Sequence, residues 1–177
     1  MSLLRPRLYS RGVVHLDFAA LAAQGLVNYC LDVDNTLALH LSWEPAPGVP
    51  EALRRAREEG HIRNLCLVSN VIWGRRKLER LAHLARRLDI PHHCGALLWH
   101  RKPSPVPFRR AMACMGSTPD NTVVVGDQIF TDILGGNRLG LYTVLVQPLG
   151  PDHWTTFFSA RRRREQALLR QFGMTPV

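Results

Sequence analysis

An uncharged apolar run that stops abruptly on two aspartates is the feature that most constrains this chain. Residues 26–37 read LVNYCLDVDNTL. Residues 27–31 are rich in β-formers and carry no charge, the pattern of a strand buried on both faces. Asp32 and Asp34 follow, with one residue between them. In an extended chain, residues two apart point to the same side. At the end of a parallel strand that side opens on the crevice where α/β proteins bind ligands. Like charges held this close need a cation or a shared proton to offset them. The stretch either binds a metal or tunes a proton, or it is a turn in which Asp-Asn-Thr caps a helix.

Similar runs recur along the chain. Residues 62–69 form a second apolar strand ending in Ser69-Asn70, and residues 92–99 a weaker third, followed by His100-Arg101-Lys102-Pro103. A β-branched strand at 122–125 stops at Gly126-Asp127, and a fifth strand spans 141–146. Helices are expected between them. One at 16–23 is closed by Gly25, one at 49–59 has Pro50 in its first turn, and one at 106–115 follows Ser104 and ends at Gly116. Others fall at 130–137 and 155–172. Helix 75–88 presents Leu78, Leu81, Ala82, Ala85 and Leu88 as an apolar stripe, which leaves Arg76, Arg80, His83 and Arg87 on a solvated face. The alternation predicts an α/β fold, a Rossmann-like doubly wound parallel sheet of about five strands. The division expected is a leading segment at 1–25, a core at 26–148 and a basic helical segment at 149–177. The Pro-rich connection at 37–50, with Trp43, is long enough to be a functional loop that the ring either lines or packs beneath.

A length of 177 residues suits one domain with a good core. The formal charge of +9 favours an anionic partner: a phosphorylated small molecule, an anionic lipid surface or nucleic acid. No nucleic-acid motif accompanies the charge, and the aromatic residues do not interleave with the arginines. The four cysteines lack C-x-x-C spacing, and Cys30 and Cys66 sit in apolar runs. This fits a reducing compartment without structural disulfides. His92-His93-Cys94 has no matching second pair and is a strand lead rather than a zinc site. No apolar run approaches the roughly 20 residues that span a bilayer. The expected setting is the cytoplasm, with peripheral contact to a membrane surface. Arg161 to Arg164, near Phe157, Phe158, Leu168, Leu169 and Phe172, are either a solvated helix face or a face that lies on anionic lipid. An oligomer is neither required nor excluded.

Position makes the polar residues informative. Asp32, Asp34, Ser69 and Asp127 end strands, and Lys102 follows one, so a parallel sheet gathers them on one edge. Phosphoryl transfer needs a nucleophile, counter-charge for the phosphoryl oxygens and a proton donor for the leaving alcohol. Asp32 would attack phosphorus. Mg²⁺ would be held by Asp32, Asp127 and the backbone carbonyl of Asp34. The Asp34 carboxyl would protonate the leaving group and later activate water. Ser69, with Asn70 beside it, would bind phosphoryl oxygens, and Lys102 would neutralise the anion and hold Asp32.

These stretches resemble the four motifs of the haloacid dehalogenase (HAD) superfamily, with Asp32-Val33-Asp34-Asn35-Thr36 similar to its D-x-D-x-T. The whole pattern is most similar to the small YqeG-type, subclass IIIA phosphatases, through LDVDNTL, LVSN, RKPSP and VVVGDQIFTDILGGNRLG. That group is related to phosphatidylglycerophosphate phosphatases. The resemblance implies a HAD core and a Mg²⁺-dependent phosphatase with an aspartyl-phosphate intermediate. In it Asp32 is the nucleophile, Asp34 the general acid/base, Ser69 the phosphoryl-binding hydroxyl, Lys102 the charge stabiliser and Asp127 a metal ligand. Asp132 either supports the metal, directly or through water, or is a helix-surface carboxylate. The second aspartate argues for phosphatase over dehalogenase chemistry. The gaps between motifs are too short for a large cap domain, and an open site favours a bulky or surface-displayed substrate. A lipid phosphate such as phosphatidylglycerophosphate is the preferred substrate. Soluble sugar phosphates or nucleotides are the alternative, and a non-catalytic phosphate-responsive module is a reading of another class.

Overall fold

The computed structural model describes residues 2–71, 75–150 and 156–177, with the side chains of 97, 98 and 156–159 left aside. Six parallel strands form one sheet: β1 (Leu8–Ser10), β2 (Asn28–Leu31), β3 (Asn64–Val71), β4 (His92–Leu97), β5 (Thr122–Gly126) and β6 (Tyr142–Val146). Their order is β1-β6-β5-β2-β3-β4. The chain moves outward from β2 through β4, then crosses back to β5. The switch therefore lies beside β2, where an open α/β sheet forms its binding crevice.

The sheet has one strand more than the five expected. β1 is only three residues long and flanked by arginines, too short to show a period, and its place comes from pairing with β6. β3 also continues through Ser69 and Asn70 to Val71, because β4 pairs with it along that length.

Alternation along the central strands divides the core. Tyr29, Leu31, Leu65, Leu67, Val123 and Val125 pack on one face. Cys30, Cys66, Val68 and Val124 face the other, beneath Phe108, Ala111 and Met115 of α4 (Val106–Met115). This two-sided burial is why these strands read as continuous apolar runs. Helix α1 (Phe18–Ala22) lies inside the span expected at 16–23 but starts later, because the Asp17 side chain caps it, and α2 (Val49–Glu58) has Pro50 in its first turn as expected.

Two helices depart from expectation. In α3 (Arg75–Arg87) the buried face is Arg80, Leu81, Leu84 and Ala85, while Leu78 is exposed. Arg80 is thus in the buried register rather than on a solvated face. The helix expected at 130–137 opens as a π-turn, Ile129–Ile133, and only Leu134–Asn137 (α5) is α-helical. The last helix, α6 (Thr156–Gln171), sends Leu169 into a cluster with Ile129, Ile133 and Leu145, and Leu168 packs against it. These two leucines therefore turn inward rather than toward a lipid face. The side chains of Phe157 and Phe158 lie outside the described residues. No helix among the described residues is long and apolar enough to cross a membrane.

Candidate active site

The site forms where the central strand ends. Leu31 pairs with Leu67 on one side and Val125 on the other. Asp32 thus stands level with Val68 and Gly126, with Ser69 and Asp127 one residue further on. The Asp32 N–H continues the ladder to Val125 O at 2.9 Å. The chain then doubles back: the N–H groups of Thr36, Leu37 and Ala38 all donate to Val33 O, at 3.3, 3.0 and 3.1 Å. Asn35 takes a φ of 58°, a left-handed conformation that its short polar side chain tolerates.

This turn gives the two carboxylates different surroundings. Asp32 has an 11% exposed side chain; Thr36 Oγ1 donates to its Oδ2 at 3.2 Å and Lys102 Nζ to its Oδ1. Asp34 is 31% exposed. Its Oδ1 forms an ion pair with Arg80 Nη2 at 2.9 Å, accepts from Leu41 N at 3.4 Å and lies 3.5 Å from His40 Nδ1. Both residues line one cavity of about 150 Å³.

Lys102 is buried and uses all three donors, on Asp32 Oδ1, on Asp132 Oδ1 at 2.7 Å and on Val68 O at 2.8 Å. Asn70 holds its backbone from both sides, donating Nδ2 to Lys102 O at 3.2 Å and accepting Lys102 N on Oδ1 at 2.8 Å. The Asn70 amide, expected near a phosphoryl oxygen, lines the cavity and spends its oxygen and one of its two N–H hydrogens on the Lys102 backbone. Ser69 lines the cavity at 7% exposure, and among the described residues no hydrogen bond claims its hydroxyl.

Asp127 and Asp132 are both buried, so Asp132 is not a helix-surface carboxylate. The π-turn brings Asp132 over Gly126, where a Cβ would stand 2.6 Å from Asp132 Cβ and Oδ2. Only glycine permits that approach. Asp132 Oδ2 accepts from Thr131 Oγ1 at 3.1 Å and Gln128 N at 3.3 Å. Carboxylate oxygens of Asp32, Asp127 and Asp132 lie within 4.8 Å of one another. The Asp34 carboxylate is not part of that cluster.

Two of the site's cations were not legible in the sequence. Arg80 reaches Asp34 from the buried side of α3, and also donates to Ser42 O at 2.6 Å and Leu39 O at 3.4 Å. Arg162 of α6 pairs with Asp127 Oδ2 and donates to Asp127 O, and lies 3.1 Å from Glu165 Oε2. Glu165 Oε1 in turn accepts the N–H groups of Ile129 and Phe130, at 2.8 and 3.3 Å, satisfying the open end of the π-turn. Trp43 stacks edge-on against His83, ring centroids 5.4 Å apart, and so packs on α3.

The electrostatics follow from burial. Desolvation pushes the Asp32 carboxyl up to about 7, against the opposing pull of Lys102 and with a further push from Asp132 and Asp34. Desolvation likewise raises Asp127 well above the carboxylate range, despite Arg162. Burial alone would lower the Lys102 ammonium, but Asp132 and Asp32 overcome it and hold it above its ordinary value. Three buried carboxylates face the two cations Lys102 and Arg162, a local excess of negative charge at one side of a cavity that Lys77, Arg101 and Arg161 also line. A hard divalent cation with oxygen ligands fits that donor set.

Three comparisons bear on the site. A family model described as HAD-hyrolase-like matches residues 99–148, the stretch carrying Lys102, Asp127 and Asp132. The chain is 32% identical over 171 residues to "Probable phosphatase YqeG" of Bacillus subtilis, covering 95% of this chain and 92% of that protein. It is 34% identical over 152 residues to a chloroplastic phosphatidylglycerophosphate phosphatase 1 of Chlamydomonas reinhardtii, covering 84% of this chain but 54% of that one. It thus spans about half of that relative. Among solved structures, an uncharacterized protein from Listeria monocytogenes serotype 4b superimposes with a TM-score of 0.54 at 16% identity, over 84% of this chain and all of that one, a likeness of fold.

Proposed function

This chain belongs to the HAD superfamily as a relative of the YqeG-type phosphatases, and on that premise we propose that it hydrolyses the phosphomonoester of a lipid phosphate, with phosphatidylglycerophosphate preferred, through a phosphoryl group carried on Asp32. The observation that carries the reading is the meeting of Asp32, Ser69 and Lys102 in one cavity beside a buried three-carboxylate cluster. The named activity of the plastid relative supports the choice of substrate.

Asp32, Asp127 and the Asp34 backbone carbonyl would hold a divalent cation, Mg²⁺ in this reading, with Asp132 alongside. When bound, it supplies the positive charge that a phosphate dianion needs next to three carboxylates. The protein's own groups do the rest. An Asp32 carboxylate oxygen forms the new bond to phosphorus as the bond to the leaving alkoxide breaks, and Asp34 gives that alkoxide a proton. Asp34 then takes a proton from water, whose oxygen attacks phosphorus and releases Asp32 and inorganic phosphate. Ser69 donates its hydroxyl hydrogen to a phosphoryl oxygen, and Lys102 offsets the anion while fixing Asp32.

The test is phosphate release from phosphatidylglycerophosphate and from soluble sugar phosphates and nucleotides, with and without Mg²⁺, using Asp32→Asn as the control. Release that requires Mg²⁺ and Asp32, and is fastest on the lipid, is the expected result. Faster turnover of soluble esters sinks the lipid assignment, and activity retained by Asp32→Asn sinks the covalent route. A long-lived phosphoryl group on Asp32 without turnover would identify a phosphate-responsive module instead.

A further inference from the structure

Eight large apolar side chains are exposed among the described residues, and four of them belong to segments at the mouth of the cavity. Leu39 (51% exposed) and Leu41 (50%) flank His40, which lines the cavity. Trp99, 91% exposed, stands two residues before the cavity residue Arg101. Leu149 is 40% exposed, and its N–H donates at 2.9 Å to the carbonyl of Asn35, another lining residue. A parallel sheet explains the gathering. The loops after β2, β4 and β6 all leave from one edge, and β4 and β6 each stand two strands, about 10 Å, to either side of β2. Cations share this edge: Lys77, Arg101 and Arg161 line the same cavity from three different segments.

Exposed leucines and a nearly bare tryptophan are costly in water unless something covers them. Apolar tips beside lysine and arginine fit the surface of an anionic bilayer, where the apolar groups enter the acyl boundary and the cations meet headgroups. We propose that the cavity mouth is the membrane-docking surface of this protein, with Leu39, Leu41 and Trp99 as the inserted side chains and Arg101 and Lys77 as headgroup contacts. This deepens the lipid-phosphatase reading and rests on it. Docking by this edge turns the open cavity toward the headgroups, so a phosphomonoester reaches Asp32 while its acyl chains stay in the bilayer. Arg163 and Arg164 of α6 are exposed and do not line this cavity.

Co-flotation with vesicles of phosphatidylglycerol and phosphatidylcholine, against pure phosphatidylcholine, tests the surface. The unaltered chain is expected to float with the anionic vesicles. Leu41→Asn and Trp99→Ser are each expected to weaken that binding about tenfold or more, the change that removing one buried apolar side chain produces. Leu41 has a φ of 63°, which asparagine accepts, and Trp99 is almost wholly exposed, so both variants should fold, as circular dichroism would verify. The pair Arg163→Gln/Arg164→Gln is expected to retain most of the binding. No flotation of the unaltered chain, or loss with the α6 pair and not with the mouth variants, overturns the proposal. Phosphate release from p-nitrophenyl phosphate, measured on the same samples, reads the phosphatase assignment separately.

Discussion

Arg80 Nη2 lies 2.9 Å from Asp34 Oδ1, and it comes from the buried side of α3 rather than from solvent. The guanidinium is fixed by two loop carbonyls as well, so it has little freedom to swing away. Among the described residues Asp34 Oδ2 receives no hydrogen bond, leaving one oxygen for proton transfer while the other is tethered. Arg80→Gln is expected to slow hydrolysis of alkyl phosphates by roughly ten- to a hundredfold in kcat, part of what a positioned acid contributes, with little change in KM. Aryl phosphates whose phenolate leaves without a proton should suffer much less. Combined with Asp34→Asn, the Arg80 change should add no further loss. Equal slowing of alkyl and aryl esters would show that Arg80 supports only the loop.

Gly126→Ala addresses the carboxylate cluster without removing a carboxylate. Its new Cβ would displace Asp132, which now sits 2.6 Å from that position. Calorimetric titration with Mg²⁺ should show binding weakened by about tenfold or more, on the scale seen when groups orienting a metal site are lost. Unchanged affinity would remove Asp132 from the metal site.

Arg162 neutralises Asp127 from a helix more than thirty residues away in sequence. Arg162→Gln leaves a buried carboxylate short of its partner, an alteration that costs about 3–5 kcal/mol in comparable buried pairs. The metal-free variant should therefore melt well below the unaltered protein. Saturating Mg²⁺ should recover part of the loss, because a ligand that binds only the folded state stabilises it. Thermal melts with chelator and with Mg²⁺ decide this.

The carboxyl of Asp32 carries a sign that pH can read. Burial raises it from 3.8 to about 7 in the folded protein. Between those values the folded state holds more protons than the unfolded one, so metal-free stability falls as pH rises through that window. Asp32→Asn removes this dependence. The stability of the variant relative to the unaltered chain should rise from about pH 4 to about pH 7 and level off above, as urea melts in chelator would record. A difference that shrinks with rising pH would contradict the assignment.

Residues whose placement depends on strand ends were legible in the sequence. Asp32, Ser69 and Asp127 each follow an apolar run, and a parallel topology alone brings such positions together. Arg80 was not legible, because an apolar stripe is found by its hydrophobic members. A charge inside that register gives no sign of the partner that pulls it inward. Arg162 is one of four consecutive arginines, and its distinction is a contact with Asp127 that local periodicity does not encode. The Arg162–Glu165 spacing of three was the available hint. β1 is too short for any pattern, and the π-turn differs from an α-turn by a hydrogen-bond offset that no residue type signals.

The hold of Asn70 on the Lys102 peptide separates address from cargo. Asn70 grips backbone atoms that every residue type but proline possesses, so it fixes where position 102 stands largely independently of the side chain there. Replacing Lys102 thus alters charge with the loop still anchored, whereas replacing Asn70 releases the anchor with the charge intact. Two faults that in most enzymes blur into one can here be produced separately, one chemical and one positional.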